Sequence, residues 1–172
     1  MMKLDDRCQP IELILSDVDG VLTGGALIFD NEGIETKQFH VRDGLGIKLW
    51  QKCGFRFGIL TSRTSHVVQV RAAELGIDIV RQGFQQKLPV AEEIAQSLKL
   101  NMDQVCYIGD DLTDLPVIQA VGLGVTVADG VAEVQNVAEY VTKTAGGRGA
   151  IRELIETLLK AKQRWEDIVA RY

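Results

Sequence analysis

Two carboxylates stand one residue apart at Asp17 and Asp19, directly after the apolar run IELIL (residues 11–15). Like charges this close repel each other unless a cation or hydrogen-bond donors compensate them. Taken alone, Asp-x-Asp-Gly is also an ordinary turn sequence. A calcium-binding EF-hand fits less well, because the sixth and twelfth positions counted from Asp17 are Leu22 and Ile28 instead of Gly and Glu. The pair therefore indicates a catalytic or metal-binding site only if other polar residues of the chain lie close to it.

Other polar residues stand where further apolar runs of the sequence stop. They are Thr61 and Ser62 after FRFGIL, Lys87 shortly after IDIV, and Asp110, Asp111 and Asp114 in GDDLTD after VCYI. Ligands of open parallel sheets bind outside the carboxyl ends of the strands, so we expect these residues to converge at one edge. Each has a plainer alternative when taken singly: a helix cap for Thr61, an N-capped helix start for GDDLTD and a solvated surface lysine for Lys87.

Considered together, these residues predict magnesium-dependent phosphoryl transfer. Carboxylates gathered at one edge repel strongly unless a divalent cation lies among them, and Mg²⁺ binds few carboxylates together with waters and phosphate oxygens. A carboxylate beside such an ion can attack phosphorus as a covalent nucleophile, while a hydroxyl and a lysine neutralise charge on the transferred group.

The elements that would position this set alternate between short apolar runs and longer stretches of helical period. This alternation predicts an α/β domain with a mainly parallel sheet flanked by helices. The strand candidates are residues 11–15, 55–60, 77–80, 105–108, 123–127 and 139–142. The helix candidates are residues 44–53, 65–75, 88–100 and 114–121, with Gly54 and Gly76 where two helices should end.

Two segments depart from this rhythm. ALIFDNEGIETKQF (residues 26–39) predicts two strands about a DNEG turn, so we expect a β-hairpin over residues 24–39 that projects after the first strand. The tail from Gly149 to Tyr172 predicts one helix with an apolar packing face. We expect the whole chain, residues 1–172, to form a single domain.

Composition limits the possible partners. The net charge is −5 and no block of Lys or Arg occurs, so we expect no nucleic-acid binding. The first apolar run breaks at Asp17, too early for a signal peptide or a membrane span, and we expect a cytoplasmic protein that does not bind membranes. The cysteines at positions 8, 53 and 106 are far apart and fit reduced thiols.

The ordered motifs resemble those of the haloacid dehalogenase (HAD) superfamily. DVDGVLT (residues 17–23), ILTS (59–62), Lys87 and GDDLTD (109–114) are similar to its four motifs. The resemblance implies a Rossmann-like HAD fold, an Asp17 nucleophile and an Asp19 acid and base. It implies Mg²⁺ held by Asp17, Asp110 and the Asp19 backbone carbonyl, phosphoryl contacts from Thr61 and Lys87, and outer supporting roles for Asp111 and Asp114.

Many members of this superfamily carry a cap domain after the first or second motif, for which this sequence has no room. Only 43 residues separate Asp17 from Thr61, and 25 separate Thr61 from Lys87. We therefore expect a capless protein whose site is covered by a neighbouring subunit, with the hairpin at the interface.

A closer resemblance is to the capless phosphatases of 3-deoxy-D-manno-octulosonate 8-phosphate (Kdo 8-phosphate), tetrameric Mg²⁺ enzymes of lipopolysaccharide precursor synthesis. KQFHVRDGLGIK (residues 37–48) and AGGRGAIRE (145–153) carry it. It implies a homotetramer, a possible role in trans for Arg148, and a sugar-acid phosphate site that includes Asp19, His40, Val41, Arg42, Asp43, Gly44, Lys48, Arg63, Arg71 and Lys87. Guanidinium groups suit such a substrate because they bind carboxylate and phosphate oxygens bidentately.

Three positions depart from that family's usual pattern, and other functions stay open. His40 replaces Asn, Lys48 replaces Arg and Ser62 replaces Gly, which alters expected contacts around the sugar. The alternatives are a nonulosonate 9-phosphate phosphatase, disfavoured by Arg63, a non-catalytic assembly domain related to those of sugar-acid nucleotidyltransferases, and a receiver-like signalling domain. Asp19 argues against the receiver, because it should hydrolyse a phospho-aspartate quickly.

Overall fold

A six-stranded parallel sheet forms the centre of the computed structural model, which describes residues 3–172. Its strands are β1 (Leu13–Ser16), β4 (Arg56–Thr61), β5 (Ile79–Gln82), β6 (Val105–Gly109), β7 (Leu123–Thr126) and β8 (Tyr140–Val141). They lie in the order β5-β4-β1-β6-β7-β8. The predicted Rossmann-like α/β fold is confirmed, and all six predicted strands are present. Residues 1 and 2 of the predicted domain lie outside the described residues.

Eight helices surround the sheet in the described part of the chain. They are α1 (Leu4–Cys8), α2 (Val41–Lys52), α3 (His66–Leu75), α4 (Lys87–Ser97), α5 (Leu115–Ala120), α6 (Ala132–Gln135), α7 (Ala150–Ala161) and α8 (Trp165–Val169). Helix α2 begins three residues before the predicted start, because the His40 side chain accepts a hydrogen bond from the Arg42 backbone N–H and caps it. Gly76 ends α3 in the left-handed conformation, at φ 67°.

The core lies on both faces of the sheet, because successive strand residues point to opposite sides. Ile14 packs in a cluster with Ile47 and Ile155, while its neighbour Leu15 packs in a second cluster with Ile94. Both faces are thus buried, and the reactive side chains are confined to the strand ends. Between residues 3 and 172, no helix is both long and apolar enough to cross a bilayer.

The predicted hairpin is confirmed. Strands β2 (Ile28–Phe29) and β3 (Glu35–Thr36) pair antiparallel, with Ile28 opposite Thr36 and Phe29 opposite Glu35. It forms its own two-stranded sheet, separate from the central one. The apolar side chains of Leu27, Ile28, Phe29 and Ile34 are exposed.

The predicted single C-terminal helix is wrong, since the chain turns between α7 and α8. Gln163 adopts φ 56°, and the Arg164 N–H donates to the Leu159 carbonyl, the closing hydrogen bond of a Schellman motif. The turn returns Trp165 to α7, where the Arg152 guanidinium lies 5.2 Å from its ring centroid. Glycine usually occupies the left-handed position, so a glutamine there provided no stop signal in the sequence.

Candidate active site

Asp17 and Thr61 lie at the same edge of the sheet because their strands are neighbours. Asp17 follows β1, and its backbone N–H donates to the Ile108 carbonyl of β6 at 3.0 Å. Thr61 is the last residue of β4, which pairs with β1 on the other side. Both residues are buried. The ladder hydrogen bonds of the sheet therefore set the position of the predicted nucleophile.

A buried lysine joins two carboxylates at this edge. Lys87 is the first residue of α4, and its Nζ lies 2.9 Å from Asp17 Oδ2 and 2.6 Å from Asp114 Oδ1. The Lys87 side chain is 0% exposed. The Tyr107 hydroxyl also donates to Asp114 Oδ1, at 2.6 Å. We call Asp17, Lys87, Tyr107, Asp110 and Asp114 the strand-end cluster.

The charges of the strand-end cluster shift one another's pKa values. Burial, followed by the charge of Asp114, raises the pKa of Asp17, although Lys87 opposes this. Burial and then the charge of Asp17 raise the pKa of Asp110 to about 7. For Lys87, burial disfavours the charged form, but Asp17 and Asp114 outweigh it and raise the pKa. One ammonium therefore leaves negative charge uncompensated in the cluster.

This negative charge fits a divalent cation held by Asp17 and Asp110. Carboxylate oxygens of Asp17, Asp110 and Asp114 lie within 4.8 Å of one another. Asp114 is already saturated, because its Oδ2 accepts the backbone N–H groups of Asp110 at 2.9 Å and Asp111 at 3.1 Å. Asp110 Oδ1, in contrast, is buried without a hydrogen-bond partner among the described residues. Hard oxygen donors of this kind suit Mg²⁺.

The catalytic loop after β1 needs a glycine at position 20. Gly20 has φ 94°, and a Cβ there would stand 2.0 Å from Asp110 Oδ2. On its other side the loop is held by the segment AGGRG, because the Gly147 N–H donates to the Val21 carbonyl at 2.8 Å. The exposed Arg148 is thus carried by a segment fixed against the catalytic loop.

The Asp19 side chain contacts a second cluster, to which the hairpin contributes two residues. Lys37 Nζ hydrogen-bonds Asp19 Oδ1, and Arg63 Nε lies 3.5 Å from Asp19 Oδ2. Glu35 binds both cations, since its Oε1 lies 3.3 Å from Lys37 Nζ and 2.7 Å from Arg63 Nη2. Its Oε2 accepts the Ser65 hydroxyl, the first of the contacts that lower the Glu35 pKa. We call these five residues the hairpin cluster.

The predicted sugar-acid residues on α2 divide into exposed and buried groups. Val41, Arg42 and Lys48 are exposed, whereas Asp43 and Gly44 are buried. Arg71 of α3 approaches this segment, because a Cβ on Gly44 would lie 2.5 Å from its Nη2. None of these positions belongs to the strand-end or hairpin cluster. A substrate that contacts both these residues and Asp17 must therefore extend from the edge of the sheet to the start of α2.

Asp43 caps a helix of the same chain. Its Oδ1 accepts the Arg152 backbone N–H at 2.8 Å, near the start of α7, where Gly149 provides no side chain of its own. Burial raises the Asp43 pKa, while this hydrogen bond opposes the shift. In this geometry Asp43 supports the AGGRG segment from α2, and its predicted substrate contact does not follow from its position.

Sequence reasoning missed Glu35, Lys37, Ser65 and Tyr107. One signal was available for the first two, because residues two apart in a strand share a face. Glu35 lies in β3 and Lys37 directly follows it at that spacing, so the sequence of the predicted second hairpin strand already indicated opposite charges on one face. Nothing in the sequence indicated that this face meets Asp19.

The fold and this arrangement of side chains together define a hydrolase of the HAD type. A family model described as haloacid dehalogenase-like hydrolase matches residues 60–154, the stretch that contains Thr61, Lys87 and Asp110. Among residues 3–172 the structure shows no cap domain, as the short spacings between the motifs led us to expect.

Similar proteins specify the family further. The chain is 40% identical over 161 residues to the 3-deoxy-D-manno-octulosonate 8-phosphate phosphatase of Escherichia coli K12, with 94% of this chain and 86% of that protein covered. The crystal structure of the Moraxella catarrhalis phosphatase of the same name, in complex with magnesium ion, phosphate ion and Kdo, matches with TM-score 0.96 and 38% identity over 97% of this chain and 96% of that one. A cobalt-bound structure of the Haemophilus influenzae phosphatase matches with TM-score 0.90 and 37% identity, over 92% and 93%. The chain belongs to the haloacid dehalogenase superfamily and, within it, to the Kdo 8-phosphate phosphatase family.

Proposed function

We propose that this chain is a Mg²⁺-dependent phosphatase that hydrolyses Kdo 8-phosphate to Kdo and phosphate in the cytoplasm, in lipopolysaccharide precursor synthesis. The observation that carries the proposal is the Lys87 ammonium between Asp17 and Asp114, beside the unsatisfied Asp110 oxygen. The family to which the chain belongs and the names of its relatives support the choice of substrate.

In this proposal Asp17 attacks phosphorus and forms an aspartyl-phosphate, which water then hydrolyses. Asp19 protonates the leaving oxygen in the first step and activates water in the second. Lys87 holds Asp17 in place and offsets charge on the phosphoryl oxygens, and the Thr61 hydroxyl binds one of these oxygens. Asp114 orients Lys87 and, through two backbone N–H groups, the segment of Asp110 and Asp111.

Asp17, Asp110 and the Asp19 carbonyl would hold the Mg²⁺ ion. The ion supplies positive charge that offsets the carboxylates and polarises the phosphate. Burial, together with the negative charges of Asp17 and Asp114, raises the pKa of Asp110 to about 7, which supports placing a cation beside it.

Cationic side chains around the strand edge suit the rest of the substrate. Arg63 is 39% exposed beside Asp19 and could bind the sugar-acid carboxylate with its guanidinium. Arg71, His40, Arg42 and Lys48 extend the positive region along α2 and α3, with Val41 and Gly44 between them. We propose that they contact the distal part of the sugar.

The chain should assemble as a homotetramer through its hairpin. The exposed apolar side chains of Leu27, Ile28, Phe29 and Ile34 cluster on a hairpin that projects from the central sheet, and a second copy would cover them. The neighbouring copy would close the capless site and bring Arg148 near it in trans. Light scattering should show a tetramer, and Phe29→Asp should shift it toward monomer.

The proposed activity is tested by phosphate release from purified protein. Kdo 8-phosphate and a nonulosonate 9-phosphate are supplied in parallel, with Mg²⁺ or with EDTA. We expect Mg²⁺-dependent release from Kdo 8-phosphate with the higher kcat/KM. A higher kcat/KM with the nonulosonate 9-phosphate would make that compound the substrate in place of Kdo 8-phosphate. No release from any sugar phosphate would favour the alternative of a non-catalytic assembly domain.

A further inference from the structure

Lys37 is a buried cation whose ammonium group is held between two carboxylates. It follows β3 on the hairpin, and its side chain is 2% exposed. Its Nζ hydrogen-bonds Asp19 Oδ1 and lies 3.3 Å from Glu35 Oε1. The ammonium therefore joins the hairpin directly to the proposed acid and base.

The burial of Lys37 separates its role from that of the nearby arginine. Arg63 also contacts Asp19 and Glu35, but its side chain is 39% exposed and accessible to a ligand. The Lys37 ammonium is buried against both carboxylates, so a substrate cannot contact it in this arrangement. Any effect of Lys37 on the reaction must therefore act through Asp19 or Glu35, and of these two Asp19 is the one that takes part in the proposed reaction.

Glu35 fixes the other end of this connection. Its Oε2 accepts the hydroxyl of Ser65, a buried residue that immediately precedes α3. The Ser65 backbone N–H in turn donates to the Gln82 side chain at the end of β5, at 2.8 Å. The hairpin is thus attached to the central sheet by the same residue that holds Lys37, so the position of Lys37 is set by the domain and not by the hairpin alone.

We propose that Lys37, held by Glu35, is a positioning residue that directs the Asp19 carboxyl group toward the leaving oxygen of the substrate. The proposal rests on the proposed phosphatase function, in which Asp19 transfers that proton. Asp19 lies in the loop after β1, outside the hydrogen-bonded strands of the sheet, and its side chain is 17% exposed. A carboxyl group in such a loop needs a fixed partner to keep one orientation.

The test is Lys37→Met in the full chain, with kcat/KM measured over leaving groups of different acidity. This ratio reports the step that breaks the bond to the leaving group. An alkyl phosphate needs protonation of its leaving oxygen, so we expect a loss of about 10²-fold with Kdo 8-phosphate, or with whichever sugar phosphate the wild type hydrolyses best. 4-Nitrophenyl phosphate releases a stable anion and should lose less than about threefold. Lys37→Arg should restore part of the alkyl activity.

Two controls make the result decisive. Lys52→Met removes an exposed lysine at the end of α2 and should leave both substrates unaffected. Glu35→Gln keeps Lys37 but loosens its anchor and should show the same leaving-group preference more weakly; it also serves if Lys37→Met does not fold. Equal losses on alkyl and aryl phosphates would overturn the positioning role while leaving the phosphatase function intact. A wild type inactive on every phosphate monoester would instead remove the proposed function.

Discussion

Asp17 and Asp19 are two residues apart, yet they lie in clusters of different construction. Asp17 belongs to the strand-end cluster, in which the Lys87 and Asp114 side chains are completely buried. The members of this cluster lie in β6, directly after β1 and β6, and at the starts of α4 and α5. Asp19 belongs to the hairpin cluster, where the Arg63 side chain is 39% exposed and two of the five members come from the hairpin.

The contrast indicates that the strand-end cluster contributes to both stability and catalysis, whereas the hairpin cluster contributes mainly to the reaction. Buried charges are costly to leave without partners, so changes in the strand-end cluster should affect both folding and catalysis. In the hairpin cluster Arg63 is 39% exposed, and Asp19 and Glu35 each pair with both Lys37 and Arg63, so a change at one member leaves the others paired and should alter the reaction more than the fold. Each prediction below tests this division.

The largest effect should come from Asp17→Asn, which removes the proposed nucleophile. We expect turnover to fall by roughly 10⁴-fold or more, because an amide cannot form the phosphorylated intermediate. The fold should persist at reduced stability, since the amide still offers an oxygen to Lys87 but no longer a charge. Phosphate release and circular dichroism measure the two properties. Asp78→Asn, an exposed site at the opposite end of the sheet, is the control, and wild-type turnover by Asp17→Asn would refute the nucleophile.

Asp114→Asn should produce the largest loss of stability. Four donors surround this carboxylate: Lys87, Tyr107 and the backbone N–H groups of Asp110 and Asp111. Whichever way an asparagine turns, its NH₂ group faces donors. We expect the free energy of unfolding to fall by about 3–5 kcal/mol, measured by urea denaturation.

The matched variant in the hairpin cluster is Glu35→Gln. It also removes one carboxylate charge that contacts a lysine, but at a more accessible position, and it should cost less than about 1 kcal/mol. Similar losses of unfolding free energy in the two variants would contradict the proposed division between the clusters.

Magnesium should stabilise the strand-end cluster more at high pH than at low pH. The folded Asp110 has its pKa raised from 3.8 to about 7, so without metal the folded state holds a proton that the unfolded state has released. Stability of the metal-free protein should therefore fall as pH rises from about 4 to about 7. Mg²⁺ replaces that proton and should restore about 2.7 kcal/mol at a hundred times its Kd.

Thermal unfolding at pH 5 and pH 8, with and without Mg²⁺, measures this coupling. Asp110→Asn should remove most of the pH slope and most of the response to Mg²⁺, whereas Lys37→Met should keep both. A Mg²⁺ response that is larger at pH 5 than at pH 8 would contradict the assignment.

The sequence predicted the strand-end positions well because topology alone places them. Asp17, Thr61 and Asp110 follow apolar runs, and parallel strands bring those ends to one edge whatever the details of packing. Lys87 could be placed there as well, since it starts the helix after β5.

The hairpin cluster could not be predicted in the same way. A projecting hairpin can lie at many angles to a sheet, and the contacts of Glu35 with Ser65 and Arg63 and of Lys37 with Asp19 help to fix the angle here. The capping role of Asp43 was missed for a related reason, because it depends on a contact between segments distant in sequence. The left-handed Gln163 was missed because glycine is the usual residue at such a turn.

The smallest effect on stability should come from Arg63→Ala, which separates substrate recognition from the chemical step. The guanidinium is accessible and Lys37 still serves Glu35 and Asp19, so unfolding free energy should change by less than about 1 kcal/mol. Its loss should raise KM for Kdo 8-phosphate by about tenfold or more, the value of one charge-assisted hydrogen bond. Turnover of 4-nitrophenyl phosphate, which has no carboxylate, should change little. Arg56→Ala is the control, because Arg56 begins β4 at the opposite edge of the sheet from Arg63, which follows that strand. A loss in kcat for Kdo 8-phosphate with KM unchanged would mean that Arg63, like Lys37, acts through Asp19, and the hairpin cluster would then serve the chemical step alone.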